Sequence, residues 1–227
     1  MKLNVKHSAV FLFVALFLLA ATPSWLHIRA GNSSTIVSAP HSGSDLNTGY
    51  IVEQIAKQTG FASIVVENGR NMRTRWNVNR PTVGGGQTCD SERRTSSAEE
   101  AFNAYRAAVL SLNPNPALFI EIHGESGVSV IEAATKGFSR DDASKIKQLY
   151  TELRDKRLRG TNFFAYDLLI EPLDSIRLTA SCAKTIGLFA SLPKVLHMEL
   201  PRGMRDPPTV EPYTQILAEL IQKAAIQ

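Results

Sequence analysis

Starting at Thr35, the chain reads strand, helix, strand within about thirty residues. Thr35-Ile36-Val37-Ser38-Ala39 is a short β-branched run, the composition of a buried strand. Asp45 to Thr48 then offers capping residues for a helix over 47–59, where Tyr50, Ile51, Ile55 and Ala56 recur at helical spacing and Gly60 supplies the stop. Phe61 to Val66, with Ile64-Val65-Val66 at its centre, is the second strand. Two strands joined by one helix make a βαβ unit, which dictates a parallel pair with a right-handed crossover. That excludes all-α and all-β folds.

The rest of the chain continues the alternation. Residues 67–95 form a long irregular stretch with six arginines (Arg70, Arg73, Arg75, Arg80, Arg93 and Arg94) and the triplet Gly84-Gly85-Gly86, which reads as a flexible loop or a mobile lid. Ser96 to Glu99 resembles a capping box for a helix over 97–112, ended by Pro114 and Pro116. Strands are expected over 117–123, 129–133, 163–170 and 194–200. Helices are expected from Asp141 to Leu158, over 181–190, and from Pro212 to Ile226. The whole predicts one α/β domain over 31–227.

Residues 1–30 are set apart. Lys2 and Lys6 precede an uncharged, apolar run from Ala9 to Ala21, the pattern of a secretory leader. The run either is removed on export or anchors the chain through residues 9–28; in both cases the domain works outside the cytoplasm. The net charge of +4 owes much to this segment: without its Lys2, Lys6 and Arg29, 22 basic residues face 21 acidic ones. A nearly neutral domain argues against a nucleic-acid partner. In an oxidising compartment the only two cysteines, Cys89 and Cys182, can pair.

Outside the leader there are three histidines, and each ends a strand-like run: Pro40-His41-Ser42-Gly43-Ser44-Asp45, Ile120-Glu121-Ile122-His123-Gly124 and Leu196-His197-Met198-Glu199. Ligands and catalytic groups gather at the carboxyl ends of strands in α/β sheets. A catalytic zinc site takes three protein ligands and keeps one position open. His41, Asp45 and His123 can supply the three, with the acid four residues past His41 across a Ser-Gly turn. His197 shares a strand face with Glu199 and could flank the site or replace a ligand. Glu199 is the candidate for proton transfer, and Glu121 is a candidate to support His123 from behind. In the arginine-rich stretch, Asn79 beside Arg80 suits bidentate binding of a substrate carboxylate, and Arg75 could hold an oxyanion. Ser126 in Gly124-Glu125-Ser126-Gly127 lacks the strand-to-helix setting of a nucleophile elbow.

Taken in order, Pro40-His41-Ser42-Gly43 with Asp45, then Arg75 and Asn79-Arg80-Pro81, then Ile122-His123-Gly124, then Met198-Glu199-Leu200 resemble the N-formylglutamate amidohydrolase family, which is related to zinc carboxypeptidases. The resemblance covers about 36–202. It implies a three-layer α/β fold like that of zinc carboxypeptidases, with a mixed, mostly parallel sheet and helices on both faces. It also implies zinc held by His41, Asp45 and His123, a substrate carboxylate held by Asn79 and Arg80, catalytic roles for Glu199 and Arg75, and hydrolysis of an amide bond. One departure stands out: the family's usual acid ahead of the Asn-Arg pair is Asn77 here, which removes a group that would orient the arginine. An exported chain also fits poorly with cytoplasmic histidine degradation. The expected substrate is therefore an extracytoplasmic N-acyl amino acid or small peptide, including wall-derived peptides, and not formylglutamate itself. The alternative is a ligand-binding module of the cell envelope on the same fold, without catalysis.

Overall fold

The computed structural model describes residues 22–67, 76–84 and 88–225. The first expected unit is present: β2 (Thr35–Ala39), α1 (Thr48–Thr59) and β3 (Ala62–Val66), with β2 and β3 parallel. Gly60 ends α1 in the left-handed conformation, φ 75°, where a side chain would be strained. The remaining strands are β1 (Leu26–Arg29), β4 (Leu118–Glu125), β5 (Ile131–Lys136), β6 (Leu168–Ile170) and β7 (Val195–Pro201). They form one sheet in the order β1-β3-β2-β4-β7-β5-β6, antiparallel only at β1–β3 and β5–β7.

Alternate residues along the central strands point to opposite faces, and each face is covered. Val37, Ile120, Ile122 and Met198 bury against α1, α3 (Arg140–Leu158), the single turn α5 (Arg202–Arg205) and α6 (Val210–Ala224). Ile36, Ile64, Phe119 and Val195 bury against α2 (Ser96–Leu112) and a 3-10 turn at Leu188–Ser191. This is a three-layer α/β architecture with a mixed, mostly parallel sheet. No helix among the described residues is long and apolar enough to cross a membrane.

Four expectations need correction. Residues 26–29, placed in the leader by sequence, are the edge strand β1, paired antiparallel to β3 in the register Leu26↔Val66 to Arg29↔Ser63. The Trp25 ring also lies against that of Trp76, with centroids 5.9 Å apart. The domain therefore includes this stretch; residues 1–21 of the expected leader or anchor lie outside the described residues. The strand expected over 163–170 is confined to 168–170, because side chains capture the backbone ahead of it: the Tyr213 hydroxyl accepts from Tyr166 N and donates to Phe164 O, while Tyr150 and Arg154 donate to Tyr166 O. The helix expected over 181–190 breaks into α4 (Ser181–Thr185) and the 3-10 turn at Leu188–Ser191. At the break, a Cβ on Gly187 would lie 2.4 Å from the Asn79 carbonyl oxygen, which accepts from Leu188 N. Finally, the residue capping α2 is Thr95, whose side chain accepts from Ala98 N.

The edge strand gives a first prediction. A protein beginning at Gly31 should be less stable than one beginning at Thr22 by about 3 kcal/mol, from the lost burial of Leu26 and the lost tryptophan pair. Thermal melts of the two truncations check it; equal midpoints would mean that β1 contributes nothing.

Candidate metal centre

The site forms where three strand ends meet. Past β2 the chain turns at once: Asp45 N donates to His41 O at 2.8 Å, which brings both side chains to one side of the turn. The Ser42 hydroxyl donates to Val66 O at 2.9 Å and ties the turn to the end of β3. On β4, Glu121 and His123 share the α2 face, and on β7 so do His197 and Glu199. The parallel register sets Glu121 opposite His197 and His123 opposite Glu199. Two strands thus build a two-by-two grid of polar side chains, with the His41 turn above it. The His123 ring lies 4.9 Å from that of His41 and 4.2 Å from that of His197.

His41, Asp45 and His123 each offer a ligand atom within 4.8 Å of the others. Asp45 Oδ2 is 3.7 Å from His123 Nδ1 and 3.9 Å from His41 Nδ1, and it accepts from Gly124 N at 3.2 Å. A Cβ at position 124 would sit 2.3 Å from Arg205 Cζ, so a larger residue there would push the guanidinium aside. That buried guanidinium donates to the carbonyls of Leu200 and Leu46, joining the end of β7 to the turn.

Glu121 lies behind His123, wholly buried. It accepts from His123 Nε2 at 3.0 Å, from Asn79 Nδ2 at 2.9 Å and from the Tyr105 hydroxyl at 2.8 Å. Burial alone would raise its pKa, but hydrogen bonds from His123 and His197 hold it well below the usual carboxylate range. An ionised Glu121 makes His123 Nε2 a donor and leaves the Nδ1 lone pair free.

Burial is the main cause that lowers the pKa of His41 to about 3, so its imidazole is neutral. Its Nε2 is buried with no hydrogen-bond partner among the described residues, a costly arrangement that a bound cation would relieve. Burial opposes the charge on His197, yet Glu121 and Glu199 hold its pKa up to about 9. Burial alone would raise the Glu199 pKa, but the hydrogen bond that His197 Nε2 donates to Glu199 Oε1 at 3.1 Å, together with attraction to His123 and His197, brings it down to about 2. Neutral His41, ionised Glu121 and ionised Glu199 are the states that a metal centre with a carboxylate beside it requires.

A second trio, Glu121, His123 and His197, also lies within ligating distance. All three residues are buried, and Glu121 already has three partners. The first trio borders a cavity of about 590 Å³ and has room for a further ligand. The two-histidine, one-carboxylate donor set facing a cavity fits a zinc site.

The cavity is also lined by Asn79, Arg80, Glu92, Glu199 and Arg177. Asn79 sits behind Arg80, its Oδ1 accepting from Arg80 Nη1 at 3.1 Å. His197 flanks the trio and lines the cavity beside Glu199. Arg75 lies outside the described residues, as do Gly85 and Gly86 of the expected lid. Cys89 and Cys182 form a disulfide that links the 3-10 turn Cys89–Ser91 to α4 on the cavity wall.

Sequence reasoning missed Glu92, Tyr105 and Arg205. In sequence Tyr105 is indistinguishable from the apolar positions of α2, although a buried tyrosine needs a partner for its hydroxyl. Glu92 and Arg205 carry no local signal.

No protein-family model matches the sequence, and no curated protein matches it. Solved structures similar in fold include three that share 10–14% of residues with this chain. A bacteriophage poly-gamma-glutamate hydrolase is 12% identical with a TM-score of 0.53, over 92% of this chain and 95% of that one. N-formylglutamate amidohydrolase from Ralstonia eutropha JMP134 is 14% identical with a TM-score of 0.51, over 90% and 98%. The gene product Atu2144 from Agrobacterium tumefaciens is 10% identical with a TM-score of 0.51, over 92% and 97%. The chain thus has the fold that its ordered motifs imply.

Proposed function

We propose that this protein is a zinc-dependent amidohydrolase that cleaves the amide bond of an N-acyl amino acid or small peptide bearing a free carboxylate. The observation that carries this reading is the convergence of His41, Asp45 and His123 from two strand ends, with Glu199 directly across from His123. Two neighbours of the same fold are named as hydrolases of glutamate derivatives, which supports the substrate class.

His41, Asp45 and His123 would hold the zinc, which when bound supplies a Lewis acid for the scissile carbonyl and acidifies a water at neutral pH. Glu199 is kept ionised by His197 and serves as the base that takes the water's proton, then returns it to the departing amine. Arg80 clamps the substrate carboxylate and so fixes which amide faces Glu199. Glu121 orients His123 on one side and Asn79 on the other. The reading places the protein outside the cytoplasm, exported or anchored; the charged and apolar start of the chain and the Cys89–Cys182 disulfide support that.

The test is metal analysis followed by a substrate panel. Purified protein should carry about one zinc per chain, as a single three-ligand site requires, and should release amino acid from N-acyl amino acids or short peptides. His41→Ala should lower zinc affinity by orders of magnitude. A protein that takes up no zinc would sink the reading. Full zinc with no turnover across the panel would favour the non-catalytic binding module.

A further inference from the structure

Arg80 is held by an acid twelve residues further along the chain. Its Nε and Nη2 donate to the two carboxylate oxygens of Glu92, at 2.7 and 2.6 Å. The Thr82 hydroxyl donates to Glu92 Oε2 at 2.6 Å and accepts from Asn77 Nδ2 at 3.2 Å. The Glu92 side chain is 1% exposed and that of Arg80 16%. Such a buried pair adds little net stability, because desolvating both charges offsets their attraction. What it does is lock a planar guanidinium in one orientation.

Donor counting shows what that orientation leaves available. A guanidinium has five N–H groups. Among the described residues, Nε and one N–H of Nη2 go to Glu92, and one N–H of Nη1 goes to Asn79. One N–H then remains on each terminal nitrogen to donate to a carboxylate in the cavity that Arg80 lines.

Glu92 is fixed from both sides. It caps the 3-10 turn Cys89–Ser91, its N–H donating to Cys89 O at 3.3 Å, and Cys89 is bonded to Cys182 on the cavity wall. The next residue, Arg93, accepts at its carbonyl from Val83 N at 2.9 Å. Position 77, where an orienting acid was expected, holds an asparagine that supports Thr82 instead.

We propose that Glu92 is the positioning residue of the carboxylate anchor: it orients Arg80 so that ligand affinity, and not the chemical step, depends on it. This rests on the reading of Arg80 as the anchor, and the experiment separates the two. Glutarate is titrated calorimetrically into the metal-free protein, wild type and the variants Arg80→Gln, Glu92→Gln and Glu92→Asp, each checked by thermal melt. Glu92→Asp keeps a charge beside the buried guanidinium but is one methylene too short to reach both nitrogens. Arg80→Gln should abolish binding, and both Glu92 variants should weaken it about tenfold or more. With zinc bound, KM for N-acetylglutamate should rise by the same factor in Glu92→Asp while kcat stays within about twofold. If Arg80→Gln loses glutarate but folded Glu92 variants bind it as wild type does, the role of Glu92 is overturned and the anchor stands. A wild type that binds no glutarate, or an Arg80→Gln variant that binds it unchanged, overturns the anchor and this proposal together. Should neither Glu92 variant fold, Thr82→Val decides, since it removes only the hydroxyl that supports Glu92. A weakening of about threefold or more is expected there, and unchanged binding would overturn the proposal.

Discussion

Glu199→Gln should all but abolish hydrolysis and leave the metal in place. Glu199 lines the same cavity as the trio of His41, Asp45 and His123 and is not one of its members. Gln keeps the length of the side chain and a carbonyl oxygen to accept from His197 Nε2, so the grid on β4 and β7 should persist. What Gln cannot do is take up a proton. Removing a positioned general base typically costs about 10² to 10⁴ in rate. Because Arg80 and the metal ligands are untouched, the loss should appear in kcat, with KM nearly unchanged and zinc still near one per chain. Retention of more than about a tenth of the wild-type kcat, well outside that range, would remove Glu199 from the chemistry. Loss of zinc together with activity would make it a ligand.

The second large effect concerns stability. Cys89 and Cys182 are 93 residues apart, so their bond closes a long loop around α2, β4, β5, α3 and β6. Constraining a loop of that size in the unfolded chain is worth about 4.7 kcal/mol in the chain-entropy account, with measured losses for native disulfides of about 2–5 kcal/mol. The double substitution Cys89→Ser, Cys182→Ser should therefore lower the free energy of unfolding by that amount, read as a lower denaturant midpoint with a steeper slope, because the unlinked unfolded chain exposes more surface. Wild-type protein unfolded with and without a thiol reductant should show the same difference. Coincident curves would mean that the bond contributes no net stability. The 3-10 turn that carries Glu92 also begins at Cys89, so the double variant should bind carboxylates more weakly even where it remains folded.

Particular residues show how much could be read without coordinates. The β-branched run at 35–39, the helix that Gly60 stops and the strand at 62–66 are each specified by neighbours in sequence, and the parallel pair follows from their order. Histidines at three strand ends could be found in the same way, because a strand places its C-terminal residues at one edge of the sheet. The pairs Glu121 with His123 and His197 with Glu199 are two-residue repeats, so their shared faces were legible too. The boundary at residue 30 was misplaced because Leu26-His27-Ile28-Arg29 continues an apolar stretch; only the open edge of β3 reveals it as a strand. The stretch 163–167 has strand composition, but tyrosines and an arginine from α3 and α6 bind its backbone first.

Local pattern thus determined the α/β class, the crossover unit and the identity of the side chains that gather at the strand ends, since each follows from spacings of two to four residues. Tertiary structure decided the register that sets His123 across from Glu199, the hydroxyl of Tyr105 on Glu121 sixteen residues away, and the choice of Glu92 over position 77 to hold Arg80. The physical reason is that a buried charge must find a partner wherever the fold brings one within 3 Å, and the separation along the chain places no limit on where that partner lies.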